Sequence, residues 1–110
     1  MVELSPAAQD VRRYDRDRFF AALFAPADRR EALFSLYAFN VAVARVRETV
    51  SEPLVGEIRL QWWLDTVGAA YDGTRSADPV AGALGEAIGR FRLDRALFER
   101  LIEGRRRDLD

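Results

Sequence analysis

Glu48 and Glu52 stand four residues apart, the spacing that puts two carboxylates on one face of a helix. Paired oxygens of that kind suit a hard cation such as Mg²⁺. Pro53 follows at once and ends a helix there, which works against a shared site. Arg45 and Arg47 lie beside the same stretch, and guanidinium forks match oxyanions in a bidentate way. Asp10, Asp15 and Asp17 form another acidic group. They are interleaved with Arg12, Arg13, Arg16 and Arg18, the pattern of a solvated, salt-bridged face rather than of a metal site. Asn40 interrupts an apolar run, either as a polar lining residue or as an amide bonded to a neighbouring helix. Trp62 and Trp63 either line a cavity or groove or belong to the core. Adjacent helical residues diverge by about 100°, so one should pack inward and the other sit at a boundary. Glu57 and Arg59 read as a surface pair. Arg105, Arg106 and Arg107 read as a charged helix end complementing the dipole, with a phosphate or an anionic membrane surface as the alternative contact.

Composition removes several kinds of chemistry. The chain has 110 residues, enough for one small domain with one core. Its 17 basic residues against 18 acidic ones leave a net charge of −1, without the basic footprint of a nucleic-acid binder. All the basic residues are Arg, which a GC-rich genome explains more simply than selection for oxyanion contacts. With no Cys and no His, disulfides, thiolate chemistry, Cys/His zinc sites and Ser-His triads are excluded within this chain. The N-terminal stretch mixes acids with bases and has no apolar core, so it is no signal peptide, and the cytoplasm is the expected location. The longest apolar stretch, Ala32 to Ala44, spans about 13 residues where a bilayer needs about 20. It reads as a buried helix.

The elements expected to position these residues are all helical. No stretch alternates with period two, and no Asn-Gly or Asp-Gly hairpin occurs. Ser5-Pro6 opens a first helix to about Arg18, extending toward Phe24. Pro26 falls in the first turn of a second helix running to about Val50. Pro53 starts a third, stopped near Tyr71 by Asp72-Gly73. Asp78-Pro79 opens a fourth to about Phe91, and Asp94 caps a fifth that runs to the chain end. The short connections predict an antiparallel bundle. The second helix is apolar around nearly its whole circumference, as a helix surrounded by others should be. Five short helices enclose such a helix with difficulty, so the chain is expected to be the first part of a longer all-helical protein.

From Pro26 the residues resemble a known family. Pro26, Arg30, Ala32, Leu33, Leu36, Tyr37 and Ala38 fit the P-x-x-x-R-x-A-[LVW]-x-x-[LI]-Y-A run of the squalene/phytoene synthase family, and Gln61, Trp62, Trp63 and Asp65 match its next helix. The resemblance implies an all-α fold of the isoprenoid-synthase type, with residues 1–110 the N-terminal part of a single helical domain. It also implies a first Asp-x-x-x-Asp motif beginning seven residues after Tyr37, where carboxylates hold Mg²⁺ against a diphosphate leaving group. Those positions here are Ala44, Arg45, Val46, Arg47 and Glu48. Ala44 replaces the leading Asp, Arg45 stands where many members carry a second one, and Val41 replaces an Arg that helps hold diphosphate. One carboxylate beside an arginine is a poor Mg²⁺ site.

The replacement itself has a family look. Phe39, Asn40, Val41, Val43, Ala44, Val46, Arg47, Glu48, Val50, Ser51 and Glu52, followed by Gly56, Arg59, Gln61 and the tryptophan pair, are similar to the branch of respiratory complex I assembly factors. Its eukaryotic members are mitochondrial; the N-terminus here looks more like a bacterial relative. The resemblance implies a non-catalytic scaffold that kept the helices and dropped the metal site, with respiratory-complex subunits as partners. The alternatives are a head-to-head prenyltransferase on prenyl diphosphates, which would need Mg²⁺, and a module that holds an isoprenoid without reacting. Tyr37, Asn40, Arg45, Arg47 and Glu48 are the candidates for substrate or diphosphate contact, Glu48 the one candidate metal ligand. No catalytic residue and no cofactor are assigned to the chain itself. Peripheral membrane contact is compatible with all three readings.

Overall fold

Local capping chemistry sets most of the helix boundaries. Ser5 accepts from the Ala8 amide at 3.1 Å and opens α1 (Pro6–Tyr14), with Pro6 in the first turn, where its missing N–H leaves nothing unpaired. Asp15 accepts from the Arg18 amide at 3.3 Å and opens α2 (Arg16–Leu23). Then follow α3 (Ala27–Ala44), the single turn α4 (Val46–Thr49) and α5 (Pro53–Tyr71). Asp78 accepts from the Ala81 amide at 2.9 Å to open α6 (Pro79–Phe91), and Asp94 accepts from Ala96 at 3.0 Å to open α7 (Arg95–Arg107). The computed structural model describes residues 3–109; Met1, Val2 and Asp110, part of the expected domain 1–110, lie outside the described residues. Among the described residues there is no strand, and the molecule is an all-α bundle. Among the described residues no helix is long and apolar enough to cross a membrane.

Two expected helices are divided. The first breaks at Asp15 (φ −151°, ψ 73°), because its carboxylate leaves the α1 pattern to cap α2 and to pair with Arg18 Nη1 at 2.6 Å. The second breaks at Arg45. There the Thr49 hydroxyl donates to the carbonyls of Arg45 (3.1 Å) and Val46 (3.3 Å), tightening the last turn in a β-branched stretch of low helix preference. Pro26 is the N-cap of α3 rather than a first-turn residue, and α7 stops at Arg107, short of the chain end. The Asp72-Gly73 stop is as expected: Gly73 takes φ 87°, a left-handed conformation open to glycine at no steric cost.

The apolar α3 is central, packed against α1, α2, α4, α6 and α7. It divides two clusters. Toward α1 and α2 it shares Phe34 and Ala38 with Ala7, Ala8, Val11, Phe19 and Ala22. Toward α5, α6 and α7 it contributes Phe39 and Val43 to a cluster with Leu60, Val67, Leu84, Ile88, Phe98 and Ile102. The Phe39 ring stands edge-on to both Trp63 and Phe98, at 5.3 Å from each centroid. Arg30 of the Pro26–Ala38 run has a structural task. Its Nη2 donates to the carbonyls of Leu23 (3.0 Å) and Ala25 (3.2 Å), tying α3 to the end of α2. Removing a charged donor from such carbonyls costs about 1–3 kcal/mol, so Arg30→Ala should lower the midpoint of a urea titration followed by circular dichroism.

Tyr71 locks the far end of α5, its hydroxyl donating to the Leu93 carbonyl at 2.6 Å. Burial first, and the nearby Asp94 carboxylate second, raise its pKa above the ordinary 10.0. A group whose folded pKa is raised contributes stability below the unfolded pKa and loses it as pH climbs through the folded one. Thermal stability should therefore fall above about pH 10 in the native chain, and Tyr71→Phe should remove that component of the decline.

Candidate functional site

The break at Arg45 falls inside the five positions where two carboxylates would have to share a helix face. Ala44 ends α3, Arg45 is the junction, and Glu48 belongs to α4. Regular i,i+4 geometry is therefore absent here as well as the leading carboxylate. Arg45 turns toward α1, with its guanidinium 3.8 Å from the centre of the Tyr14 ring, a close cation–π stack. Glu48 lies on the outside, its side chain 68% exposed, and reaches Arg45 Nη1 at 3.6 Å. It serves as the counter-charge of an arginine.

Around this turn α1, α3, α4 and α5 enclose an open cavity of about 340 Å³. Val41, Ala42, Val46, Trp62 and Trp63 form its apolar wall; Asp10, Tyr14, Arg45, Thr49 and Arg59 supply the polar groups. Arg59 comes from α5 and donates from Nη1 to the Thr49 hydroxyl at 3.2 Å. Two guanidiniums and the Asp10 carboxylate thus share the lining, with Glu48 behind Arg45 as its ion-pair partner. The tryptophans divide as their 100° separation requires: Trp63 is 8% exposed and packs against Phe39, while Trp62 is 43% exposed at the cavity rim.

The sequence candidates do not all converge here. Arg45 lines the cavity and Glu48 sits behind it. Tyr37 lies on the same row of α3 as Val41 and Arg45 but about two turns before Arg45, outside the cavity lining and packed against the α1–α2 cluster with the Arg18 guanidinium 5.8 Å from its ring centre. Asn40 is half-buried on α3 and outside the cavity lining. Arg47 is exposed and borders a separate hollow with Val50, Ser51, Glu52, Pro53, Asp108 and Leu109. Glu48 and Glu52 are parted by the extended Val50 (φ −119°, ψ 142°) and share no helix face. Glu57 does not pair with Arg59. Residues two apart on a helix point away from each other, and Glu57 instead takes Arg106 Nε of α7 at 2.9 Å. Arg106 also reaches Glu103 (2.7 Å) and the Gln61 amide oxygen (3.2 Å), so the middle arginine of the terminal run clamps α7 to α5. The sequence reading missed Tyr14 and Thr49, and the cavity roles of Arg59 and of Asp10, which it placed on a solvated, salt-bridged face. Tyr14 gives no local signal, because only the packing of α1 on α3 brings it to Arg45.

The donor set does not fit Mg²⁺. Octahedral coordination by oxygen needs carboxylates that converge without a competing cation, and the 44–48 turn offers one exposed carboxylate against a guanidinium. Among the described residues no three Asp or Glu side chains gather as a metal site.

Comparison with known proteins gives the following. A family model described as squalene/phytoene synthase matches residues 11–110. The chain is 34% identical over 100 residues to NADH dehydrogenase (ubiquinone) complex I, assembly factor 6, of Bos taurus, an alignment covering 91% of this chain and 30% of that one. It is 31% identical over 93 residues to presqualene diphosphate synthase of Rhodopseudomonas palustris (84% of this chain, 33% of the relative). With phytoene synthase of Mycobacterium bovis it shares 30% over 96 residues (86% and 30%). The chain thus spans about 30% of the length of the assembly factors it matches. No solved structure matches it.

Proposed function

We propose that this chain, which belongs to the squalene/phytoene synthase family, serves as a non-catalytic scaffold of the respiratory complex I assembly-factor type. The observation that carries the reading is the 44–48 turn: a helix break, an arginine stacked on Tyr14 and a solvent-facing Glu48 occupy the positions of a metal-binding motif. The helical frame around it is intact, with Phe39, Trp63 and Phe98 in edge-on contact. Similarity to assembly factors supports the same reading. Residues 1–110 would form the N-terminal part of one helical domain, acting in the cytoplasm with peripheral membrane contact and respiratory-complex subunits as partners.

A second reading, a head-to-head prenyltransferase using Mg²⁺, is supported by the matches to presqualene diphosphate synthase and phytoene synthase. It requires carboxylates that the 44–48 turn does not supply. Affinity capture with a tagged protein tests the scaffold directly. Enrichment of NADH dehydrogenase complex subunits, and a fall in assembled complex on deletion of the gene, are expected. Unchanged complex levels on deletion, with none of those subunits captured, would refute it.

A further inference from the structure

We infer that the apolar groove between the start of α3 and the end of α6 docks an acidic amphipathic helix of a partner protein. The inference deepens the scaffold proposal and rests on it, because a scaffold needs a surface for its partner. Leu33 and Leu36 of α3, with Phe91 and Leu93 at the end of α6, line an open hollow of about 390 Å³ together with Ala25 and Pro26. Arg29, Leu33 and Leu36 stand at i, i+4 and i+7, one face of the helix. The α2 corner offers more apolar surface. Phe24, directly before Ala25, is 90% exposed, and Phe20 and Leu23 on the same helix are exposed with it. Exposed aromatic side chains of this kind are the usual anchors of a protein interface. A bilayer surface, flat on this scale, would leave the hollow empty, whereas the ridge of a helix fills it.

Charge gives the partner its sign. Arg29 is the one charged residue of the lining among the described residues. The Arg90 guanidinium lies 5.1 Å from the centre of the Phe91 ring, so it too borders the groove. Arg92 sits between Phe91 and Leu93 and is exposed. None of these three arginines forms an ion pair among the described residues. Arg92 also holds φ 53° and ψ 51°, the left-handed region where glycine is the unstrained choice. An arginine placed there against backbone strain points to a use for its side chain. The carboxylates of the region have other tasks. Glu31 accepts from the Ser5 hydroxyl at 2.8 Å, Asp94 caps α7, and Asp28 lies in the first turn of α3. Glu86 shares an adjoining hollow with Glu31 and Arg90. Three arginines around an apolar groove match a helix with aliphatic residues on one face and carboxylates on its flanks.

The test titrates the purified chain into a fluorescein-labelled synthetic helix with leucine at i, i+3, i+4 and i+7 and glutamate elsewhere, read by anisotropy. Separate arms use the same helix with lysine in place of glutamate, the glutamate helix with serine in place of leucine, and vesicles of phosphatidylcholine and phosphatidylglycerol. The glutamate–leucine helix should bind saturably, and each altered helix at least about tenfold more weakly. Arg29→Glu and Phe24→Ser, both exposed changes, should each weaken binding about tenfold with the helical circular dichroism retained. Arg92→Gly should weaken it about threefold, the effect of an exposed ion pair. It should do so without lowering the midpoint of urea unfolding, because glycine takes the left-handed conformation freely; an arginine with a purely structural role would not behave so. No binding of the glutamate–leucine helix, equal binding of the lysine helix, or indifference to Arg29→Glu would overturn the inference. So would sedimentation with the vesicles that Phe24→Ser abolishes, which would make the α2 corner a membrane surface. In each of these cases, capture of NADH dehydrogenase complex subunits would keep the scaffold proposal standing. Binding of the acidic helix without such capture would support the groove and refute the scaffold.

Discussion

Phe39→Ala should destabilise the chain by about 3–5 kcal/mol, the usual cost of deleting a buried aromatic ring and leaving its cavity. Phe39 is almost completely buried, and its ring meets Trp63 of α5 and Phe98 of α7 edge-on. One side chain therefore joins the central helix to two of the helices around it. Small domains have about 5–15 kcal/mol in total, so the variant should unfold far earlier in urea. Trp62→Ala, on the cavity rim, should cost under about 1 kcal/mol, as surface changes usually do. Chemical denaturation followed by circular dichroism checks both, and comparable losses would contradict the assignment of Phe39 to the core and Trp62 to the rim.

The second large effect concerns turnover. Metal stabilisation of a departing diphosphate contributes several kcal/mol to the barrier, and loss of a comparable electrostatic contact lowers rates by about 10²–10³. The protein should therefore release diphosphate from prenyl diphosphates at less than about a hundredth of the rate of a metal-competent synthase. Adding Mg²⁺ should not change that rate. Ala44→Asp alone should not restore it, because the break at Arg45 and the Arg45 charge both remain. A coupled pyrophosphate assay with and without Mg²⁺ is sufficient.

Much of this architecture is legible in the residues, for local reasons. Ser5-Pro6, Asp78-Pro79, Asp94 and Asp72-Gly73 each carry their capping chemistry within a turn of the boundary they set. The all-round apolar character of α3 likewise announces its central place. The breaks at Asp15 and Arg45 are not announced in the same way. Neither has a Pro or Gly beside it, and Asp15 is one acid in a mixed Asp/Arg run whose capping role depends on where α2 begins. Within the site, the departure from an acidic motif is plain from Ala44 and Arg45 alone. The contacts of Arg45 are not, since Tyr14 comes from another helix, and the same holds for Arg106 reaching Glu57 and Gln61. Tyr37 shares the i,i+4 row of Val41 and Arg45 yet sits too near the start of α3 to reach the cavity, and Asn40 falls off that row. Motif membership names the helix; packing decides which stretch and which face of it are used.

A divalent-cation titration of the protein in the presence of a prenyl diphosphate bears most directly on the 44–48 turn. No stoichiometric Mg²⁺ uptake is expected, and Glu48→Gln should leave the calorimetric trace unchanged. Uptake of one or more Mg²⁺ ions per chain, lost in Glu48→Gln, would show that this turn is a working metal site and that the protein is built for diphosphate departure.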